Sequence, residues 1–163
     1  SPSISYPLAD RAVKMIPEIK DFVLFSGSGM GFKMATKNKT MYQKEGMTVS
    51  ENFFNFFPFK LISGSYKDAL KNENSLALST KAAKNLFGKT DVAGESVKFD
   101  GDNFVVTAVY ELPKENSVIK PEFVILAYEQ IKNDKELKWK LLYYYYHLLN
   151  IGYRIIKFLE NIY

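Results

Sequence analysis

The 163-residue chain contains no cysteine, which excludes disulfides, thiol chemistry and Cys-ligated zinc. Arginine is nearly absent: twenty of the 22 basic residues are lysine, and only Arg11 and Arg154 carry a guanidinium fork. Nucleic-acid surfaces cluster their positive charge and favour arginine. Here the charge is spread along the chain and the net excess is only +4, so nucleic acid is not an expected partner. No apolar run approaches the ~20 residues that span a bilayer. The longest, "LLYYYYHLL" at 141–149, is short and rich in tyrosine. No signal peptide is visible and residue 1 is serine, so a piece of a longer protein is expected, and compartment does not follow from missing targeting segments. Internal repeats and low-complexity linkers are also lacking.

What is present is an ordinary globular composition, 47% hydrophobic and 25% charged, sufficient for a real core. "YPLADRAVKMIPEI" predicts a helix with Pro7 in its first turn and Pro17 as its stop. Its apolar face would hold Leu8, Ala12, Met15, Ile16 and Ile19. "DFVLF" and "GFKMAT" are strand-like, and "TMYQKEGMTV" predicts a further strand kinked at Gly46.

The densest signal is "SENFFNFFPFKLISGS", with five phenylalanines (Phe53, Phe54, Phe56, Phe57, Phe59) in seven positions. Such a stretch could dip into a membrane, wall a ligand site or seal a core. Ser50 is a suitable N-cap, Phe53 and Phe57 fall one turn apart, and Pro58 ends the short helix. "FKLIS" then alternates as a strand, with Phe59, Leu61 and Ser63 on one side. Core packing is therefore expected, shared with or adjoining the core of the next helix. That helix lies in "SLALSTKAAKNLFG", where a strand meets an N-cap at Ser79 or Thr80. Ala82, Ala83, Leu86 and Phe87 form one face, and Gly88 stands at the C-cap.

"SVKFDGDNFVVTAVYELP" predicts a hairpin turning at Asp100–Asn103, and "FVILAY" a buried strand. A polar helix in "EQIKNDKELKW", a strand in "YYYYHLLNIG" and an amphipathic helix in "YRIIKFLENIY" complete the chain. Strands and helices mix without a regular βαβ period, so the expected class is α+β, mixed sheets with packed helices.

Chemistry-bearing constellations are sparse. The glycines Gly27, Gly29 and Gly31 of "GSGMG" lack the Gly-Lys-Ser/Thr of a phosphate loop and precede a strand, so a hairpin or bulge is expected. His147 is the sole histidine and shares a strand face with Tyr143 and Tyr145, without an orienting carboxylate in sight. Asp91, Glu95, Asp100 and Asp102 read as turn formers, lacking calcium-loop spacing. "YYYY" at 143–146 suits a half-wet surface or a partner contact. No catalytic, cofactor-binding or metal-binding residue is assigned, and no cofactor is expected.

Several of these pieces, taken in order, resemble the MacB-like periplasmic core domain of ABC transporter permeases with FtsX-like membrane segments. They are "PLADRAVKMIPEI", "VSENFFNFFPFKLISGSYKDAL", "LALSTKAAKNLFGKTDVAGESVKFDGDNFVVTAVYELPKENS" and "PEFVI", across about residues 6–126. The chain departs from the family pattern at Ser117-Val118, where Ser-His is common, and fits it loosely after Trp139. The resemblance implies a single extracytoplasmic domain over 1–163, on the periplasmic face of the bacterial inner membrane and part of a membrane protein. Two lobes are implied, a membrane-proximal one (1–25 plus 118–163) and an inserted one (26–117). It further implies a non-catalytic role, passing ATP-driven motion of membrane helices to export or release of a macrolide, peptide or lipoprotein. Implied partners are the domain's own transmembrane helices, a second permease subunit, cytoplasmic ATPase subunits and a periplasmic adaptor protein. The competing expectation is a stand-alone secreted or periplasmic binding module that uses its aromatic surfaces.

Overall fold

The computed structural model describes residues 6–28, 31–113, 117, 119–126 and 143–145. The expected helix in "EQIKNDKELKW", the closing helix in "YRIIKFLENIY", Tyr146 and His147 lie outside the described residues.

Helix α1 (Tyr6–Met15) precedes β1 (Val23–Ser28), β2 (Phe32–Ala35), β3 (Thr40–Gln43) and β4 (Gly46–Val49). Next come α2 (Phe53–Phe56), β5 (Leu61–Gly64), β6 (Ser75–Ser79) and α3 (Thr80–Phe87). The last strands are β7 (Ser96–Phe99), β8 (Asp102–Tyr110), β9 (Phe123–Leu126) and β10 (Tyr143–Tyr145). All ten strands join one mixed sheet in the order β10-β1-β4-β9-β6-β8-β7-β2-β3, with β5 also on β8. The class is α+β.

The sheet buries both faces. Leu76, Leu78, Phe123 and Ile125 pack with Ala82, Ala83 and Leu86 of α3 on one side. Ala77, Val124, Ala108 and Tyr110 pack with Phe53 and Phe54 of α2 on the other. The period-2 alternation of extended chain sends successive residues of β6 and β9 to opposite cores. The phenylalanine stretch is thus a core element. Phe53 is fully buried, its ring centroid 4.9 Å from that of Phe57, and Phe54 and Phe59 approach Tyr110 at 5.7 and 5.4 Å. Phe87 packs against the α3-side core and Phe57 against the other, so the two helices seal opposite faces of one sheet.

The α3 unit forms as its sequence predicts. The Ser79 side chain accepts a hydrogen bond from the Ala82 N–H at 3.0 Å, and Gly88 takes the left-handed conformation at φ 77°. Local chemistry alone specifies both caps.

Five expectations are corrected. "TMYQKEGMTV" is two strands, not one kinked strand: β3 pairs β2 at one end of the sheet, while β4 lies between β1 and β9. "GSGMG" does not close a hairpin, because β1 pairs β4 and β10 whereas β2 pairs β3 and β7. Asn52, not Ser50, is the N-cap of α2, and it makes no side-chain capping bond. Ser50 instead accepts from the Leu24 N–H at 3.0 Å, fastening the chain to β1. The α1 face buries Ala9 and Ala12, whereas Met15 is 60% exposed. The hairpin turn is also tighter than expected. Only Asp100 (φ 48°) and Gly101 (φ 103°) form it, the paired positive φ of a type I′ turn, with Phe99 opposite Asp102.

Candidate functional site, a polar junction at the centre of the sheet

The residues singled out from the sequence do not converge. Gly27 ends up in β1 and Gly31 just before β2, with Gly29 outside the described residues. Asp91 accepts from the Ser63 hydroxyl at 3.0 Å, and Glu95 pairs with Lys89 at 3.5 Å. Asp100 accepts from the Lys33 N–H at 2.8 Å. Each of these three carboxylates serves its own turn or strand edge. Among the described residues, no group of three or more His, Asp or Glu side chains is placed to hold a metal ion. Tyr143, Tyr144 and Tyr145 pair antiparallel with Phe25, Leu24 and Val23, placing β10 beside β1.

The structure draws attention instead to the start of β9, expected from the sequence as a buried strand but not as a site. This strand is threaded into the middle of the sheet, parallel to β4 and antiparallel to β6. Gly46 opposes Phe123 in that register, and a Cβ at Gly46 would stand 1.8 Å from the Phe123 ring. Glycine is needed here for space: the ring of one strand occupies the side-chain volume of the next.

Around that contact the polar groups are tied together. The Glu122 N–H donates to the Glu45 carbonyl at 2.6 Å, and the Ser79 N–H donates to the Glu122 carbonyl at 2.8 Å. The Tyr110 hydroxyl donates to the Pro121 carbonyl at 2.7 Å. The Glu122 carboxylate, only 9% exposed, accepts a hydrogen bond from the ammonium of Lys81, whose side chain is 65% exposed. One short segment, Pro121–Glu122, therefore links β4, β6, β8 and α3.

The electrostatics follow from this placement. Burial first, and the Glu122 carboxylate second, push the Tyr110 hydroxyl well above its ordinary value of 10.0. The hydrogen bond and charge of Glu122 raise Lys81 above 10.5; partial desolvation opposes them and Glu45 adds to them. Such a junction binds and positions. It contains no nucleophile–base pair, and its polar groups are satisfied by one another.

A sequence signal for this junction existed in "PEFVI": an acidic residue directly before a buried strand. The partners of Pro121 and Glu122 lie 11 to 77 positions away, so only the fold reveals them.

The family comparison settles the class of domain. Residues 1–147 match the MacB-like periplasmic core domain. The chain belongs to this family. Three solved structures share its fold. A domain assigned to a permease of Porphyromonas gingivalis aligns at TM-score 0.74 with 18% identity, covering 98% of this chain and 77% of that one. The extracellular domain of the noncanonical ABC-type transporter YknZ from Gram-positive bacteria aligns at 0.62 with 14% identity, covering 98% and 85%. The periplasmic region of MacB from Actinobacillus actinomycetemcomitans aligns at 0.55 with 17% identity, covering 97% and 83%. No curated protein matches the sequence. As a MacB-like periplasmic core domain, the chain is an extracytoplasmic domain of an ABC-type transporter permease. Among the described residues no helix is long and apolar enough to cross a membrane.

Proposed function

We propose that this periplasmic core domain is non-catalytic and transmits ATP-driven motion of the permease's membrane helices to export or release of a macrolide, peptide or lipoprotein. The observation that carries this reading is β9 between β4 and β6, clamped by Tyr110, Glu45, Ser79 and Lys81. A displacement applied to the β9 segment acts on both cores at once, because a close-packed interior transmits strain.

The partners on this reading are the permease's own transmembrane helices, a second permease subunit, cytoplasmic ATPase subunits and a periplasmic adaptor. The domain would lie on the outer face of the bacterial inner membrane. We further propose that 1–25 and 118–163 form its membrane-proximal part and 26–117 its outer part. Pairing of β1 with β10 at one end of the sheet supports that grouping. The sheet is continuous across the proposed boundary, since β9 pairs with β4 and β6, so the two parts would move as coupled bodies.

The full-length gene and a transport assay test the reading together. One membrane helix before this segment and three after it are expected, whereas none on either side would favour a stand-alone secreted module. In the complete permease with its ATPase, Gly46→Ala should leave ATP hydrolysis in place and lower export. Export at parental level, with the altered domain shown to be folded, would overturn the transmission role.

A further inference from the structure

A groove of about 710 Å³ lies between the β2–β3 turn, the C-terminal end of α3 and the segment leading into β7. Its charged lining is one-sided: Lys37 and Lys39 on the turn and Lys84 and Lys89 at the helix end, against the single acid Glu95. Glu95 is already paired with Lys89 at 3.5 Å. The carbonyls at the end of α3 would ordinarily repel an anion. Here they are answered by the Lys39 ammonium, which donates to the Asn85 carbonyl at 2.5 Å, and by the Gly88 N–H on the Lys84 carbonyl at 2.8 Å.

The walls are held without a ligand. The Thr36 hydroxyl accepts from the N–H groups of Asn38 (3.3 Å) and Lys39 (3.1 Å), fixing the turn. The Gly94 N–H donates to the Val106 carbonyl at 2.7 Å, fixing the opposite side. Pre-formed concavity with an excess of one charge is the setting in which complementary charge selects a partner.

We infer that this groove docks an acidic, extended segment of a partner protein. Two features favour that occupant. The lysines come from two separate walls, the β2–β3 turn and the end of α3, which suits carboxylates spaced along a chain better than a single phosphate. The exposed large apolar residues Met15, Tyr42, Ile62 and Tyr66 do not line the groove, whose large apolar lining is the buried Leu86 and the half-buried Phe87, so it offers little of the apolar contact a lipid surface would use. The inference stands on the groove alone and does not depend on the transmission role.

The test uses the domain with a labelled poly-aspartate peptide, inorganic phosphate and phosphatidylglycerol vesicles as separate probes. Peptide binding followed by fluorescence anisotropy should weaken with added salt, because exposed charges are screened. Lys37→Gln with Lys84→Gln should lower affinity roughly tenfold, since two charges flanking the groove are lost. A control pair on other exposed sites, Lys20→Gln with Lys67→Gln, removes the same charge and should leave binding within about twofold. Thermal melts establish that both pairs are folded. Absence of peptide binding, equal loss in the control pair, or groove-dependent binding of phosphate or vesicles in place of peptide would each overturn the assignment.

Discussion

At the scale of single residues, burial separates side chains that look alike in the sequence. Phe53 and Phe57 both belong to the phenylalanine run, yet Phe53 is fully buried and Phe57 only half-buried. Phe53→Ala should therefore destabilise the domain by about 3–5 kcal/mol, and Phe57→Ala by less. Denaturant melts of both variants check this, and a Phe53→Ala midpoint equal to the parent would restore the exposed-patch reading. Tyr110 and Lys81 give the pH dependence. Both are raised in the folded state, so the stability they contribute is complete below the unfolded values of 10.0 and 10.5. It is lost as pH climbs through the higher folded values. Stability should be level between about pH 7 and 9 and fall above about pH 10. Tyr110→Phe leaves the buried Pro121 carbonyl without its donor, a loss of about 1–3 kcal/mol at neutral pH, and should make the alkaline fall shallower. An alkaline profile identical in Tyr110→Phe and parent would remove the hydroxyl from the account.

At the scale of elements, legibility in the sequence tracks the range of the forces involved. The β6–α3 unit was readable save for the choice of Ser79 over Thr80 as N-cap, because Ser79, the Ala82-Ala83-Leu86 face and Gly88 act within one another's reach. The α2 start was not: Ser50 has the chemistry of a cap, but β1 comes close enough to take its hydroxyl. The division of "TMYQKEGMTV" was equally hidden. In the structure β3 pairs with β2 whereas β4 is held between β1 and β9, with the Phe123 ring, 77 positions after Gly46, filling the space beside that glycine. The same contact predicts an outcome for Gly46→Ala. Overpacking against the buried ring should destabilise the domain by about 1–3 kcal/mol and disturb the β4–β9 register. Amide exchange checks it: protection should drop across β4, β6 and β9 and at Phe99 of β7, whose ring lies 5.3 Å from that of Phe123, while β5, which pairs only with β8, keeps its own. Unchanged protection in β9 would contradict the packing described here. The polar junction was the least legible feature, since Glu122 meets Glu45, Ser79 and Lys81 only once three strands and a helix are assembled.

At the scale of the whole molecule, the family match and the single continuous sheet belong together. On the proposed transmission role, an outer domain needs few chemical groups and a stiff frame, and a continuous mixed sheet with a core on each side supplies the frame. The measurement that tests this most directly is a distance between two such domains in the assembled, ATPase-coupled permease. This segment has no cysteine, so an exposed Asn74→Cys gives one spin label per domain once cysteines elsewhere are replaced. Pulsed electron paramagnetic resonance then reads the label-to-label distance with and without bound ATP. A distribution that shifts on nucleotide binding is the predicted result, and coincident distributions in a permease that still hydrolyses ATP would contradict the account.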